Sequence, residues 1–196
     1  IKGFPLQRSK SILWLVGTVG SMIKIIDNFL DFSQDYYRLC KKLKYYNKDE
    51  FLKQTGKVNN FPGYRTNFLD KDYPFLYYSI LANIKNKFEI DLDKYKKIDG
   101  HAQMRLDDSK DWIHGDFGDT VIIYLSPTNE KSGTAFYEMI GDDGKEFIYR
   151  QTAMVNFIHN RGLFFTEGTN HKAINSHGTN PENARLTLTY FLHYKL

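Results

Sequence analysis

Apolar positions change their spacing partway along this chain. Near the start, residues 12–16 and 22–26 are compact apolar runs separated by Gly17 and Gly20, and they predict two short strands. Phe32, Tyr36, Leu39, Leu43 and Tyr46 then recur at alternating spacings of four and three, an amphipathic helical stripe with Asp31 or Ser33 as its cap. From Asn47 to Tyr73 the periodicity fails. Gly56, Asn59, Asn60, Pro62, Gly63 and Asn67 punctuate this stretch, which reads as a long loop of the functional or mobile kind. Pro74 suits the first turn of a second helix. Leu76, Ile80, Ile84 and Phe88, flanked by Tyr77 and Leu81, form its buried face.

After Gly100 the pattern becomes one of short strands broken by turns. Strands are predicted near 101–106, 121–126, 134–140, 147–157, 162–166 and 185–194, with turns at 141–144 and 160–162. In residues 185–192 odd and even positions go to opposite faces. Regularly spaced short strands predict a sandwich or jelly roll. The chain shows no internal repeat and no low-complexity segment.

Composition narrows the class. The 196 residues are 41% hydrophobic and 16% aromatic, enough for a real core and against disorder. They predict one domain, with 1–98 as supporting strands and helices and 99–196 as the β core. No apolar run is long enough to span a bilayer, and the apolar part of residues 10–20 is too short for a secretory signal. The chain opens on Ile1 rather than Met, which leaves room for an upstream segment. The single cysteine, Cys40, excludes an intramolecular disulfide framework, fits a reducing cytoplasm, and is expected to be a small core residue. A composition rich in Lys, Asn, Ile and Tyr suits a bacterial or phage origin.

The net charge of +4 is uneven: residues 1–100 carry 18 Lys and Arg against 11 Asp and Glu, residues 101–196 carry 9 against 12. A basic half raises nucleic acid as a partner. The lysines are scattered among Tyr, Asn and Asp, however, and a solvated helix face is the favoured reading. A peptide, protein or small molecule is the expected substrate, and no membrane partner is expected.

The candidate chemistry centres on Trp112-Ile113-His114-Gly115-Asp116. In extended backbone His114 and Asp116 point the same way and can share one metal ion, with Gly115 letting the backbone pass close to it. His171, after the apolar run Leu163-Phe164-Phe165, is the expected third ligand. Two imidazoles and one carboxylate on one face leave the other face open, the pattern of non-haem Fe(II) oxygenases. Arg185 and Thr187 share a face of the last strand and offer a guanidinium fork and a hydroxyl to a carboxylate. Tyr124 is a further donor from the opposite wall. Such a set can hold the far carboxylate of a dicarboxylic keto acid while its other end chelates iron.

These residues resemble the 2-oxoglutarate- and Fe(II)-dependent dioxygenases, in their prolyl-hydroxylase-like branch with phage and bacterial members. The likeness rests on His114-Gly115-Asp116, the strand Val121-Ile122-Ile123-Tyr124-Leu125-Ser126, then Gly133-Thr134-Ala135-Phe136-Tyr137, His171, and Arg185-Leu186-Thr187. It covers roughly 99–194, with 22–43 as a looser match. Thr187 stands where many relatives carry Ser. The resemblance implies a mainly β fold with flanking helices, a cupin-like double-stranded β-helix with N-terminal helices packed on one sheet. It also implies Fe(II) on His114, Asp116 and His171, 2-oxoglutarate on Tyr124, Arg185 and Thr187, dioxygen as oxidant, and ascorbate as an optional aid. The implied reaction hydroxylates a C–H bond, prolyl or another peptidyl side chain being the first candidate, while 2-oxoglutarate becomes succinate and CO2.

Duller roles compete. His177 is a rival third ligand ranked below His171, and His101, His159 and His193 lack partners at ligand spacing. Phe136, Tyr137, Phe157, Phe164, Phe165, Tyr190 and Phe191 read as core. Arg161 reads as a turn residue. A metal-binding cupin-like module without turnover, and a purely structural or carbohydrate-binding jelly roll, are the two rival classes.

Overall fold

The structure is a computed structural model that describes residues 22–58 and 60–195, together with the backbone of residues 12–16. In chain order the elements are β1 (Ile12–Val16), β2 (Met22–Ile26), α1 (Ser33–Lys41), α2 (Lys48–Thr55), β3 (Tyr64–Arg65), α3 (Leu69–Asp72) and α4 (Pro74–Phe88). After a short helical turn at Leu92–Lys94 come β4 (Tyr95–Arg105), β5 (Asp119–Tyr124), β6 (Asn129–Asp142), β7 (Phe147–Phe157), β8 (Gly162–Phe165), β9 (His171–Ile174) and β10 (Arg185–Tyr194). They pair into a seven-stranded sheet of order β1-β2-β8-β5-β10-β4-β3 and a three-stranded sheet of order β7-β6-β9. All pairings are antiparallel. The protein is mainly β, with few helices.

Strand alternation divides the interior into two cores. Val121, Ile123, Leu186, Leu188, Tyr190, Leu192, Ala102 and Met104 face the helices, where they meet Leu76, Ile80, Ile84 and Phe88. Ile122, Tyr124, Leu163 and Phe165 face the smaller sheet and meet Phe136, Val155 and Phe157. The same alternation sends Gln103, Arg105, Thr120, Arg185, Thr187, Thr189 and Phe191 to that second face, where they line a cavity. The large sheet therefore carries hydrophobic packing on one side and a polar chamber on the other.

Helix α4 starts at Pro74 as its sequence predicts, and it buries Leu76, Tyr77, Ile80, Ile84 and Phe88. Each such side chain contributes roughly 1.5–3 kcal/mol on burial. That anchors α4 to the sheet. Strand β8 packs as closely: a Cβ on Gly162 would run into the ring of Phe29, which is fully buried. Gly162→Ala is expected to cost about 1–3 kcal/mol through overpacking and to lower the Tm by several degrees in a thermal melt. An unchanged Tm would show that Phe29 has room to give.

The first half departs from its sequence reading in three places. Helix α1 ends at Lys41, so Leu43 and Tyr46 lie beyond it, and Phe32 is its N-cap without a side-chain cap bond from Asp31 or Ser33. Its predicted stripe is partly outside: Phe32 and Leu39 are exposed, while Tyr46 is buried beyond the helix and Cys40 is the helix's own buried residue. The stretch 47–73 is no continuous loop, since it holds α2, β3 and α3. Helix α2 is nucleated by a capping box in which Asn47 and Glu50 satisfy each other's backbone N–H groups. That signal is visible as Asn-x-x-Glu but lacks the apolar stripe that usually accompanies it. Strands β3 and β9 also go beyond what the apolar pattern predicts. Both are short and are recruited by their neighbours, β3 by β4 and β9 by β6.

Candidate metal centre

The short strand β9 brings the distant candidate ligands together. The backbone N–H of His114 donates to the His171 carbonyl at 3.1 Å, and that of His171 donates back to His114 at 2.8 Å. This two-bond bridge sets the imidazole centroids 4.4 Å apart. His171 opens β9, opposite Phe136 of β6. Asp116 lies close to both rings. Its Oδ1 is 3.9 Å from His114 Nε2 and its Oδ2 is 3.5 Å from His171 Nε2. One donor atom from each of the three lies within 4.8 Å of the others.

The hydrogen bonds around the imidazoles suit them to ligate a metal ion. Nδ1 of His114 lies 2.9 Å from the Trp112 carbonyl, and Nδ1 of His171 lies 2.9 Å from the Thr169 carbonyl. A carbonyl only accepts, so each Nδ1 carries a proton and each Nε2 is the ring nitrogen turned towards Asp116. Burial lowers the pKa of His171, with Asp116 opposing and His114 adding to the fall, so the neutral ligating form is favoured. The Thr120 hydroxyl donates to Asp116 Oδ2 at 2.8 Å and fixes the carboxylate. Thr120→Val keeps the shape and deletes that bond. It is expected to weaken Mn(II) binding about 10–100-fold, the usual effect of losing a group that holds a ligand. Equal Mn(II) affinity in a titration would remove Thr120 from the site.

Gly115 also packs two loops together: a Cβ there would meet the backbone of Gly168 at 3.3 Å. His177 stays outside the cluster, with its ring 5.4 Å from that of Phe157. His101 is a core histidine with Nδ1 3.1 Å from the Thr66 carbonyl, while His159 and His193 are engaged by Leu125 and Asp99. Arg161 does more than turn the chain: its Nε lies 2.6 Å from Asp27 Oδ1.

Arg185 faces the same cavity as the three candidate ligands. It is 3% exposed, its Nε has no hydrogen-bond partner, and among the described residues it has no ion-pair partner. Its guanidinium carbon sits 5.7 Å from the Tyr124 ring centroid and 5.3 Å from that of Phe157. Burial lowers its pKa, opposed by Tyr124 and Asp111. A buried cation without a counter-ion is costly, and an anionic ligand would relieve that cost. Thr187, two positions on, lines the cavity and pairs across the sheet with Tyr124. The Tyr124 hydroxyl already donates to Thr134 Oγ1 at 2.8 Å, so Thr134 presents the polar group at that wall.

A second buried arginine escapes the sequence reading. Nη1 of Arg105 lies 2.9 Å from Asp111 Oδ2 as an ion pair. Burial pushes its pKa down to about 10, with nearby Arg185 adding to the fall and Asp111 opposing it. Asp111 also accepts the backbone N–H groups of Trp112 and Ala173, which ties the metal-ligand loop to β9. The signal that could have found it is polar Gln103 and Arg105 alternating with Ala102 and Met104. The chamber they share has a volume of about 550 Å³ including its open mouth.

No protein-family model matches the sequence, and no curated protein is significantly similar to it. Solved structures do share the fold. The chain is similar to SnoN, a non-haem alpha-ketoglutarate-dependent epimerase from nogalamycin biosynthesis, at 11% identity and a TM-score of 0.57 over 89% of this chain and 81% of that one. It is also similar to a prolyl-4-hydroxylase of Pseudomonas putida, at 12% identity and a TM-score of 0.50 over 87% and 92% of the two chains. The fold is thus one that non-haem alpha-ketoglutarate-dependent and prolyl-hydroxylating proteins use. No helix among the described residues is long and apolar enough to cross a membrane.

Proposed function

We propose that this protein is an Fe(II)- and 2-oxoglutarate-dependent oxygenase built on a double-stranded β-helix. One observation carries the reading: a His114–Asp116–His171 cluster and a buried Arg185 without a counter-ion among the described residues line a single cavity. The residues fit both groups. Two neutral imidazoles and one carboxylate suit Fe(II), and a buried guanidinium beside the Thr187 and Thr134 hydroxyls suits the far carboxylate of a dicarboxylate.

When bound, iron with 2-oxoglutarate and dioxygen supplies the oxidising chemistry, in which the keto acid ends as succinate and CO2. The chain's own residues orient and desolvate. Asp116 is the charged ligand, held by Thr120. His114 and His171 keep their Nδ1 protons on backbone carbonyls. Arg185 and Thr187 hold the co-substrate's distal end, with Tyr124 setting Thr134 beside them. Ile122 and Phe191 give the chamber apolar walls that limit water.

Prolyl hydroxylation and epimerisation, named for the two structural neighbours, are the first reactions to assay on candidate substrates. The deciding experiment needs no substrate. Anaerobically purified protein given Fe(II), 2-oxoglutarate, ascorbate and air is expected to release succinate slowly, and His171→Ala is expected to release none. A protein that binds neither Mn(II) nor 2-oxoglutarate would overturn the reading in favour of a structural jelly roll.

A further inference from the structure

Beside the inner cavity runs an outer groove of about 1280 Å³ including its open mouth, walled by Asn47, Asn60, Pro62, Tyr64, Asp108 and Trp112. Among the described residues Phe61 is the one side chain that lines both spaces. Its ring centroid lies 4.6 Å from the Arg105 guanidinium carbon. The turn that carries it is pinned. The Gly63 N–H donates to the Phe61 carbonyl at 3.0 Å, and a Cβ on Gly63 would run into the Met104 carbonyl of β4. Phe61 is therefore held against β4 at the boundary, and it covers a cation that neighbours Arg185.

Resting on the oxygenase reading above, we propose that Phe61 is a positioning residue of the co-substrate chamber: its ring walls the two arginines off from the groove, which receives the substrate. Charge–carboxylate attraction falls as water enters, because the effective dielectric rises. A wall at this position strengthens the grip of Arg185 on a carboxylate without touching it. Among the described residues the groove's ionic side chains are Lys48 and Asp108, one of each sign, so an uncharged segment with an apolar face suits it.

The test measures 2-oxoglutarate affinity in Mn(II)-loaded protein, with Mn(II) affinity recorded alongside. Phe61→Ala is expected to weaken 2-oxoglutarate binding about ten-fold, equivalent to one decade of Kd, with Mn(II) affinity unchanged. Phe61→Tyr, which keeps the ring, is expected to restore it. Asp108→Arg, which places a cation on the groove side, is expected to leave 2-oxoglutarate affinity within about twofold, because water and salt in the open groove screen a charge there. A Phe61→Ala protein with wild-type affinity would overturn the proposal. So would an Asp108→Arg shift as large as that of Phe61→Ala, which would make chamber and groove one space. Wild-type protein that holds no 2-oxoglutarate would overturn the oxygenase reading as well, so the two failures are distinguishable.

Discussion

Asp116→Ala is expected to abolish succinate formation and to weaken Mn(II) binding by more than about 100-fold, beyond what losing a supporting hydrogen bond costs. Among the described residues Asp116 is the one carboxylate of the cluster. Without it, two neutral imidazoles face a chamber whose remaining ionic groups are Arg105, Arg185 and Asp111. A divalent cation would then enter a site of net positive charge, which adds repulsion to the lost ligand. Asp116→Asn separates the two effects, because it keeps the size and the Thr120 contact while removing the charge. Its affinity is expected to fall between wild type and Asp116→Ala. Metal-dependent turnover at the wild-type rate in Asp116→Ala would show that the metal sits elsewhere.

Arg185→Met makes a two-sided prediction. Charge-assisted hydrogen bonds contribute about 1.5–3 kcal/mol each, so the KM for 2-oxoglutarate is expected to rise by roughly 10- to 150-fold. The ligand-free protein is expected to become more stable. Arg185 is buried, its Nε has no partner, and it has no carboxylate in ion-pair range among the described residues. Replacing a buried cation that has no ion-pair partner by an apolar chain of similar length removes a desolvation cost. A higher Tm without ligand, together with a smaller stabilisation by 2-oxoglutarate, is the expected pair of observations. An unchanged KM would sink the carboxylate-anchor role. A lower Tm would show that Arg185 serves the fold.

Both predictions draw on residues that are legible in the sequence. Spacing and family resemblance single out His114, Asp116, His171, Arg185 and Thr187, and the structure places all five on one cavity. The groups that hold them are less legible. Asp111, Arg105, Thr120 and Thr134 are common residue types whose roles come from what they touch. Asp111 matters because the Ala173 N–H and the Arg105 guanidinium both reach it. Tyr124 shows the reverse: its sequence position suggests a donor to the co-substrate, and the structure commits its hydroxyl to Thr134.

The sequence by itself determined the parts that depend on near neighbours. Strands β1 and β2, helix α4, and the odd–even division of β10 follow from compact apolar runs and from periods of 2.0 and 3.6 in apolar spacing. So does the sidedness of the chamber, since Arg185, Thr187 and Thr189 must all lie opposite Leu186 and Leu188. Tertiary structure alone decided the rest. Strand β9 has four residues and little pattern, and it exists because β6 pairs with it and His114 bridges to it. The lone-pair orientation of both histidines depends on carbonyls two residues before each, placed by loop geometry that no period encodes. The isolation of Arg185 is also a tertiary fact. Whether a buried arginine has a counter-ion depends on every chain segment that could approach it, and local sequence carries no such information.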